Sequence, residues 1–92
     1  MPVRTCHLKQ IASMDTLYDA FVRQLDLPRH FGRNLDALYD SLVGDVAGPF
    51  AIVWHDSNTA RQALGADKFA SVVAVLESVL DERDDVTLEL QP

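Results

Sequence analysis

Apolar positions recur along this chain with two periods, and the switches between them lay out its elements. Met14, Leu17, Tyr18, Phe21 and Leu25 fall on one helical stripe, which predicts a first helix capped by Ser13 or Asp15. Leu35, Leu38 and Leu42 repeat the spacing over residues 34–43. Asn34 there is an N-cap whose side-chain oxygen accepts from a free N–H of the first turn, and Gly44 is expected to stop the helix as a C′ residue. Residues 27–33 form the loop before it, punctuated by Pro28 and Gly32. A short helix is expected from Ser57 or Asn58 to Leu64, ended by Gly65. Asp67 then caps a longer helix whose core face is Phe69, Val72, Val73, Leu76, Val79 and Leu80.

The remaining apolar runs have strand length. Residues 2–8 read as a short first strand, interrupted by Arg4, Cys6 and His7. Residues 49–54, PFAIVW, are continuously apolar, which predicts a central strand covered on both faces with Pro49 at its first position. Trp54 ends that run and is expected in the core, where its indole N–H needs an acceptor. Residues 85–90 alternate with period two and predict a last strand. Strands separated by helices imply an α/β domain built on a parallel sheet, and 92 residues imply one such domain.

Composition narrows the function. The formal net charge of -6 disfavours nucleic acid and anionic membrane surfaces and favours a basic protein partner. Cys6 is the only cysteine, so no intrachain disulfide is expected, which fits a reducing cytoplasm. No apolar run has the length of a signal peptide or a membrane span. His7 and the pair His55-Asp56 fall near the carboxyl ends of two predicted strands, where open parallel sheets gather ligands, and a His/Asp pair performs acid–base work. Against an enzyme stands the lack of a glycine-rich phosphate loop, a nucleophile elbow or a metal-spaced cluster. Cys6 and His7 are adjacent in a strand and point to opposite faces, which disfavours joint metal ligation. No cofactor or metal is expected.

The candidate chemistry lies on the polar face of the 34–43 helix. Asp36 and Asp40 stack away from the leucine stripe, so both carboxylates and Val43 are expected in solvent while Leu35, Leu38 and Leu42 are buried. Asp36 sits in the first turn, where the helix dipole alone justifies a carboxylate. Asp40 lies near mid-helix, where Asp has poor propensity and the dipole offers little. Asp45 comes soon after and adds to the acidic cluster. Tyr39 stands between the acidic and apolar faces and reads equally as packing or as an aromatic anchor for a partner. Gly32 supplies a turn, a close approach of backbone to a partner, or both.

Leu27-Pro28, Phe31-Gly32, Asn34-Leu35-Asp36-Ala37-Leu38, Asp40 and Gly44 closely resemble the barstar family of ribonuclease inhibitors. Weaker similarity extends over residues 15–25, the strand ending in Trp54, and Asp85-Val86-Thr87-Leu88. The resemblance implies a small three-stranded parallel sheet packed with about four helices. It also implies a non-catalytic cytoplasmic inhibitor, monomeric when free, that plugs a ribonuclease active site. Asp40 matches the aspartate that occupies the enzyme's phosphate site, since a carboxylate offers two anionic oxygens to cations as a phosphate does. Its implied companions in the interface are His30, Gly32, Asn34, Leu35, Asp36, Tyr39, Val43, Gly44, Asp45, Val75 and Ser78. His30 stands where the family usually carries an aromatic residue, Asp45 where a tryptophan is familiar, and Ser78 where a glutamate makes contact. These departures leave the anionic plug intact and change its flanks. An immunity or regulatory protein against a basic toxin or enzyme of another class is the alternative, and a small enzyme using His55 and Asp56 a remote one.

Overall fold

The computed structural model describes residues 3–28 and 30–92. Pro2, at the expected start of the first strand, lies outside them. The elements run β1 (Arg4–Leu8), α1 (Met14–Leu25), α2 (Leu35–Gly44), β2 (Phe50–Trp54), α3 (Ser57–Leu64), α4 (Ala66–Glu82) and β3 (Val86–Leu90). The three strands are parallel and ordered β1-β2-β3, with Cys6 opposite Ile52 and Ile52 opposite Leu88.

That order decides where the helices go. Both crossovers carry the chain sideways in the same direction. With the right-handed sense such connections take, every helix falls on one face of the sheet. Cys6, Leu8, Phe50, Ile52, Trp54 and Val86 are buried on that face against Leu17, Phe21, Leu38, Leu42, Val72, Leu76 and Val79. The opposite face carries exposed Thr5, His7, Thr87 and Glu89 around half-buried Ala51 and Val53. The expectation that β2 is covered on both faces is therefore corrected: its apolar run is buried on one side only.

Local signals set the helix starts with mixed success. Ser13 caps α1 in a reciprocal capping box with Thr16. Asn34 caps α2, its Oδ1 accepting from the Ala37 N–H at 2.8 Å. α3 runs from Ser57 to Leu64 and is ended by Gly65, as expected; Asp56 before it is in left-handed backbone with φ 53° and makes no side-chain cap. Gly65, at φ 91°, is the single residue joining α3 to α4. Asp67 does not cap α4 but lies in its first turn, where its carboxylate still faces the positive end of the dipole. Trp54 is wholly buried as expected and packs on Phe69, with ring centroids 5.0 Å apart. Its Nε1–H meets no acceptor among the described residues.

Gly44 does not stop α2 as a left-handed C′ residue. It is the last helical residue, and Asp45 ends the helix in right-handed backbone, its N–H donating to the Ser41 carbonyl at 2.9 Å. The work expected of a glycine turn is done by Arg83, just beyond α4 and only 13 % exposed. Its Nη1 donates to the carbonyls of Leu42 at 2.9 Å and Val46 at 2.6 Å. Its Nε and Nη2 hold the Asp85 carboxylate at 2.9 and 2.8 Å, and its Cζ lies 5.1 Å from the Phe50 ring centroid. The guanidinium thus satisfies a late carbonyl of α2 and one just beyond it, and places a cation at the negative end of the helix dipole. Gly48 passes so close that a Cβ there would collide with Arg83 and Asp85.

The first strand is an edge of the sheet, and its outward backbone is not left open. The Gln24 side chain of α1 takes the His7 N–H on Oε1 at 2.7 Å and donates from Nε2 to the His7 carbonyl at 2.7 Å. Cys6 is fully buried on the core side, and burial pushes its thiol up to about 12, against a smaller opposing effect of Arg23. It stays a neutral packing group at physiological pH.

This packing makes two stability outcomes testable. Leu76→Ala, which empties a wholly buried site on α4, is expected to cost about 2–5 kcal/mol, read as a lower denaturant midpoint. The hydrogen bonds from Arg83 hold the Asp85 carboxyl below its ordinary range. A depressed carboxyl stabilises the fold above its unfolded value, and that stabilisation disappears as pH falls through the folded value. Arg83→Gln should therefore lower stability at neutral pH, and the gap to wild type should narrow as pH falls below about 4. A gap that stays constant down to strongly acidic pH would show that the Asp85 pairing contributes nothing.

Candidate functional site

α2 presents its acidic side to solvent because its leucines point the other way. Leu38 and Leu42 are fully buried, and Asp36 and Asp40 are exposed as the spacing predicts. Leu35 and Val43 depart from expectation: each is half-buried, at the flank of the helix rather than squarely in either face. Among the described residues no Lys, Arg or His forms an ion pair with Asp36 or Asp40, whereas the acids of α1 are engaged. Arg33 Nη2 lies 3.0 Å from Asp19 and 3.4 Å from Asp15, and it also donates to the Asp15 backbone carbonyl at 3.2 Å. Arg33 thereby ties the loop before α2 to α1, with its own backbone left-handed at φ 52°. Its position beside the cap residue was the only signal in the sequence for this role.

α2 packs beside α4, and the seam between them is a groove of about 510 Å³. Its walls are Leu35, Asp36, Tyr39 and Asp40 from α2 and Ala74, Val75 and Ser78 from α4. Tyr39 and Val75 are half-buried in the groove, Ser78 is exposed, and Gly44 and Asp45 are exposed at the end of α2. His30 and Gly32 are exposed in the preceding loop. The Ser78 hydroxyl is turned back to its own helix, donating to the Ala74 carbonyl at 2.9 Å. Asn34 is exposed, but its side chain is committed on both ends, to the Ala37 N–H and to the Gly32 carbonyl at 3.3 Å.

Ala74 is a groove residue the sequence did not flag. A small side chain on the outer part of a helix carries no periodic signal, yet here it leaves the room that the groove occupies. Arg83 was missed for a related reason, since its partners on the α2 side lie 37 and 41 residues earlier in the chain. The groove and the carboxylates beside it are suited to receive cationic side chains of a partner: the carboxylates supply anionic oxygens, and Leu35, Tyr39 and Val75 supply apolar contact. Among the described residues no group of three or more His, Cys, Asp or Glu converges on a metal position. Among the described residues no helix is long and apolar enough to cross a membrane.

His7 and His55, separate strand-end candidates in the sequence, are brought together. His55 lies one position past β2, its N–H donating to the Leu8 carbonyl at 2.9 Å, and His7 Nδ1 stands 2.9 Å from His55 Nε2. They sit on the open sheet face, away from the α2–α4 groove.

Comparison with known proteins covers nearly the whole chain. The chain is 30% identical over 83 residues to the Bacillus subtilis (strain 168) protein named "Putative ribonuclease inhibitor YrdF", an alignment that covers 88% of this chain and 91% of that one. The family described as Barstar (barnase inhibitor) matches residues 1–91. Family and relative point to an inhibitor rather than an enzyme. The match runs from before the first strand to beyond the last and takes in the acidic helix, the loop before it and the α4 wall of the groove, so the chain belongs to the Barstar family.

Proposed function

We propose that this protein inhibits a ribonuclease by covering the enzyme's active site with α2 and the loop before it. Asp40 enters the phosphate pocket, Asp36 flanks it, and the exposed backbone at Gly32 approaches closely. The observation that carries this reading is the pair of exposed carboxylates on α2 with no cation paired to them among the described residues. Folding gains little from that pair, because like charges four apart weaken a helix by a few tenths of a kcal/mol, roughly. A ribonuclease gains much from it, because its phosphate site is cationic and closing that site without an anion would bury uncompensated charge.

The partner on this reading is a basic ribonuclease, the free inhibitor is a monomer, and both its charge and its single buried thiol suit the cytoplasm. The groove between α2 and α4 receives a second cationic side chain beside Asp36. Exposed His30, Asp45 and Ser78 form the rim and choose among related enzymes. A panel of small basic ribonucleases, barnase among them, together with basic toxins of other classes, tests the choice. Inhibition of a ribonuclease supports the reading, and tight binding only to a toxin of another class replaces it.

Asp40→Ala is expected to weaken binding by more than an exposed salt bridge's roughly 0–1 kcal/mol, and by about 2–5 kcal/mol if the carboxylate is desolvated, mostly through faster dissociation. Folding stability should stay the same or rise, since Ala is the better mid-helix residue. Asp19, paired with Arg33, is a poor comparison; Glu89, exposed on the open sheet face, is the sound one. Equal, small binding losses for Asp40→Ala and Glu89→Ala would end the plug mechanism.

Association should be fast at low salt and slow steeply as salt is added. The acidic face steers a basic partner through a field that ions screen over about 10 Å at 0.1 M. Stopped-flow rates that do not change between low and high salt would place the carboxylates away from the partner's charge.

A further inference from the structure

A cleft of about 470 Å³ lies along the edge of the sheet, between the end of β1 and α1, and shares no lining residue with the α2–α4 groove. We propose that this cleft binds a phosphate dianion, inorganic or carried by a small monoester, through Lys9, Gln10, Arg23 and His7.

The lining divides into groups already committed and groups left free. Gln24 spends its amide on the His7 backbone, accepting from the N–H and donating to the carbonyl. Thr16 spends its hydroxyl hydrogen on the Ser13 carbonyl at 2.8 Å. Asp19 is the carboxylate of the lining, and it lies four residues before Arg23 on α1, a spacing at which acid and base ordinarily pair. It is taken instead by Arg33, whose Nη2 is 3.0 Å away and which does not line the cleft. Arg23 and Lys9 are left with no ion pair among the described residues. The chain has 14 Asp and Glu against 8 Lys and Arg, so two cations sharing one cleft without an acid of their own are the exception. Gln10, in left-handed backbone at φ 54° just past the strand, brings an amide to the same lining.

His7 adds direction. Its Nδ1 stands 2.9 Å from His55 Nε2, and that hydrogen bond holds the ring. When the His55 Nε2–H is the donor, His7 carries its own hydrogen on Nε2, the nitrogen left for the cleft, and donates it to an anion. A bound anion thus selects one of the two tautomers of the pair, with no proton gained or lost.

These donors fit phosphate. The planar fork of Arg23 matches two of its oxygens, and Lys9 adds a compact point charge. Two full positive charges balance a dianion. The volume is that of a small-molecule pocket and exceeds a bare phosphate, which leaves room for a small ester group. The net charge of -6 disfavours a long polyanion, whereas a small anion answers to the local field.

The proposal stands apart from ribonuclease inhibition, since none of these residues lies on the acidic face. It is tested by NMR titration of the whole protein at about pH 8, above the second pKa of a phosphate monoester, with inorganic phosphate, uridine monophosphate and uridine. One saturable site is expected, with shifts concentrated at residues 7–10 and 19–24 and the His7 ring in its Nε2–H tautomer. Lys9→Gln and Arg23→Gln should each weaken binding roughly tenfold. Lys68→Gln, the same change of charge at an exposed position on α4, should leave it unchanged. Asp19→Asn, which removes the carboxylate of the lining, should tighten it. Equal affinity for phosphate and uridine monophosphate assigns the cleft to the free anion, and tighter binding of the monophosphate assigns it to an ester; either supports the site. Uridine binding as tightly as its monophosphate, shifts that spread over the surface without saturating, or a loss in Lys68→Gln equal to that in Lys9→Gln would overturn it.

Discussion

The sheet of this protein grows in one direction, and the placement of every helix depends on that. Strand order matches chain order, so every crossover steps sideways the same way and its helices are laid on one face. Four helices then share that face of a three-stranded sheet. Crowding sets α2 directly against α4, although α2 belongs to the first crossover and α4 to the second. The groove beside the carboxylates is the seam of that packing. A sheet with helices on both faces would have separated the two walls.

Charge placement completes the surface. Arg83 and Arg33 are both spent within the fold, one on the end of α2 and Asp85, the other on Asp15 and Asp19. Neither reaches Asp36 or Asp40. The acidic face is thus flanked by arginines that stiffen its two ends without neutralising its middle. Helix ends are where cations and caps give the most to stability, and mid-helix surface is where an unpaired carboxylate costs least.

What could be read from the sequence was what depends on near neighbours. Asn34 and Ser13 were legible as caps because their partners lie three residues on. The exposure of Asp36 and Asp40 against Leu38 and Leu42 came from helical period alone. The end of α2 was not legible, because it relies on an arginine 41 residues later rather than on Gly44. The single covered face of β2 was hidden for the same kind of reason: an apolar run shows that a strand is buried, not which way its crossovers step. The α4 wall was reached through family resemblance at Val75 and Ser78, and Ala74 beside them carried no signal. The meeting of His7 and His55, 48 residues apart, is likewise a product of strand register.

The Gln24 clamp on β1 has a consequence for how copies of this chain meet. A parallel sheet this small is mostly edge, and an open edge is a template on which another chain can add a strand. Gln24 presents an amide to that template and fills its donor and acceptor at His7 as a peptide of an added strand would. The side chain is a counterfeit strand one residue long. It occupies the growth point of the sheet, and so discourages edge-to-edge polymerisation along β1 without touching the acidic helix.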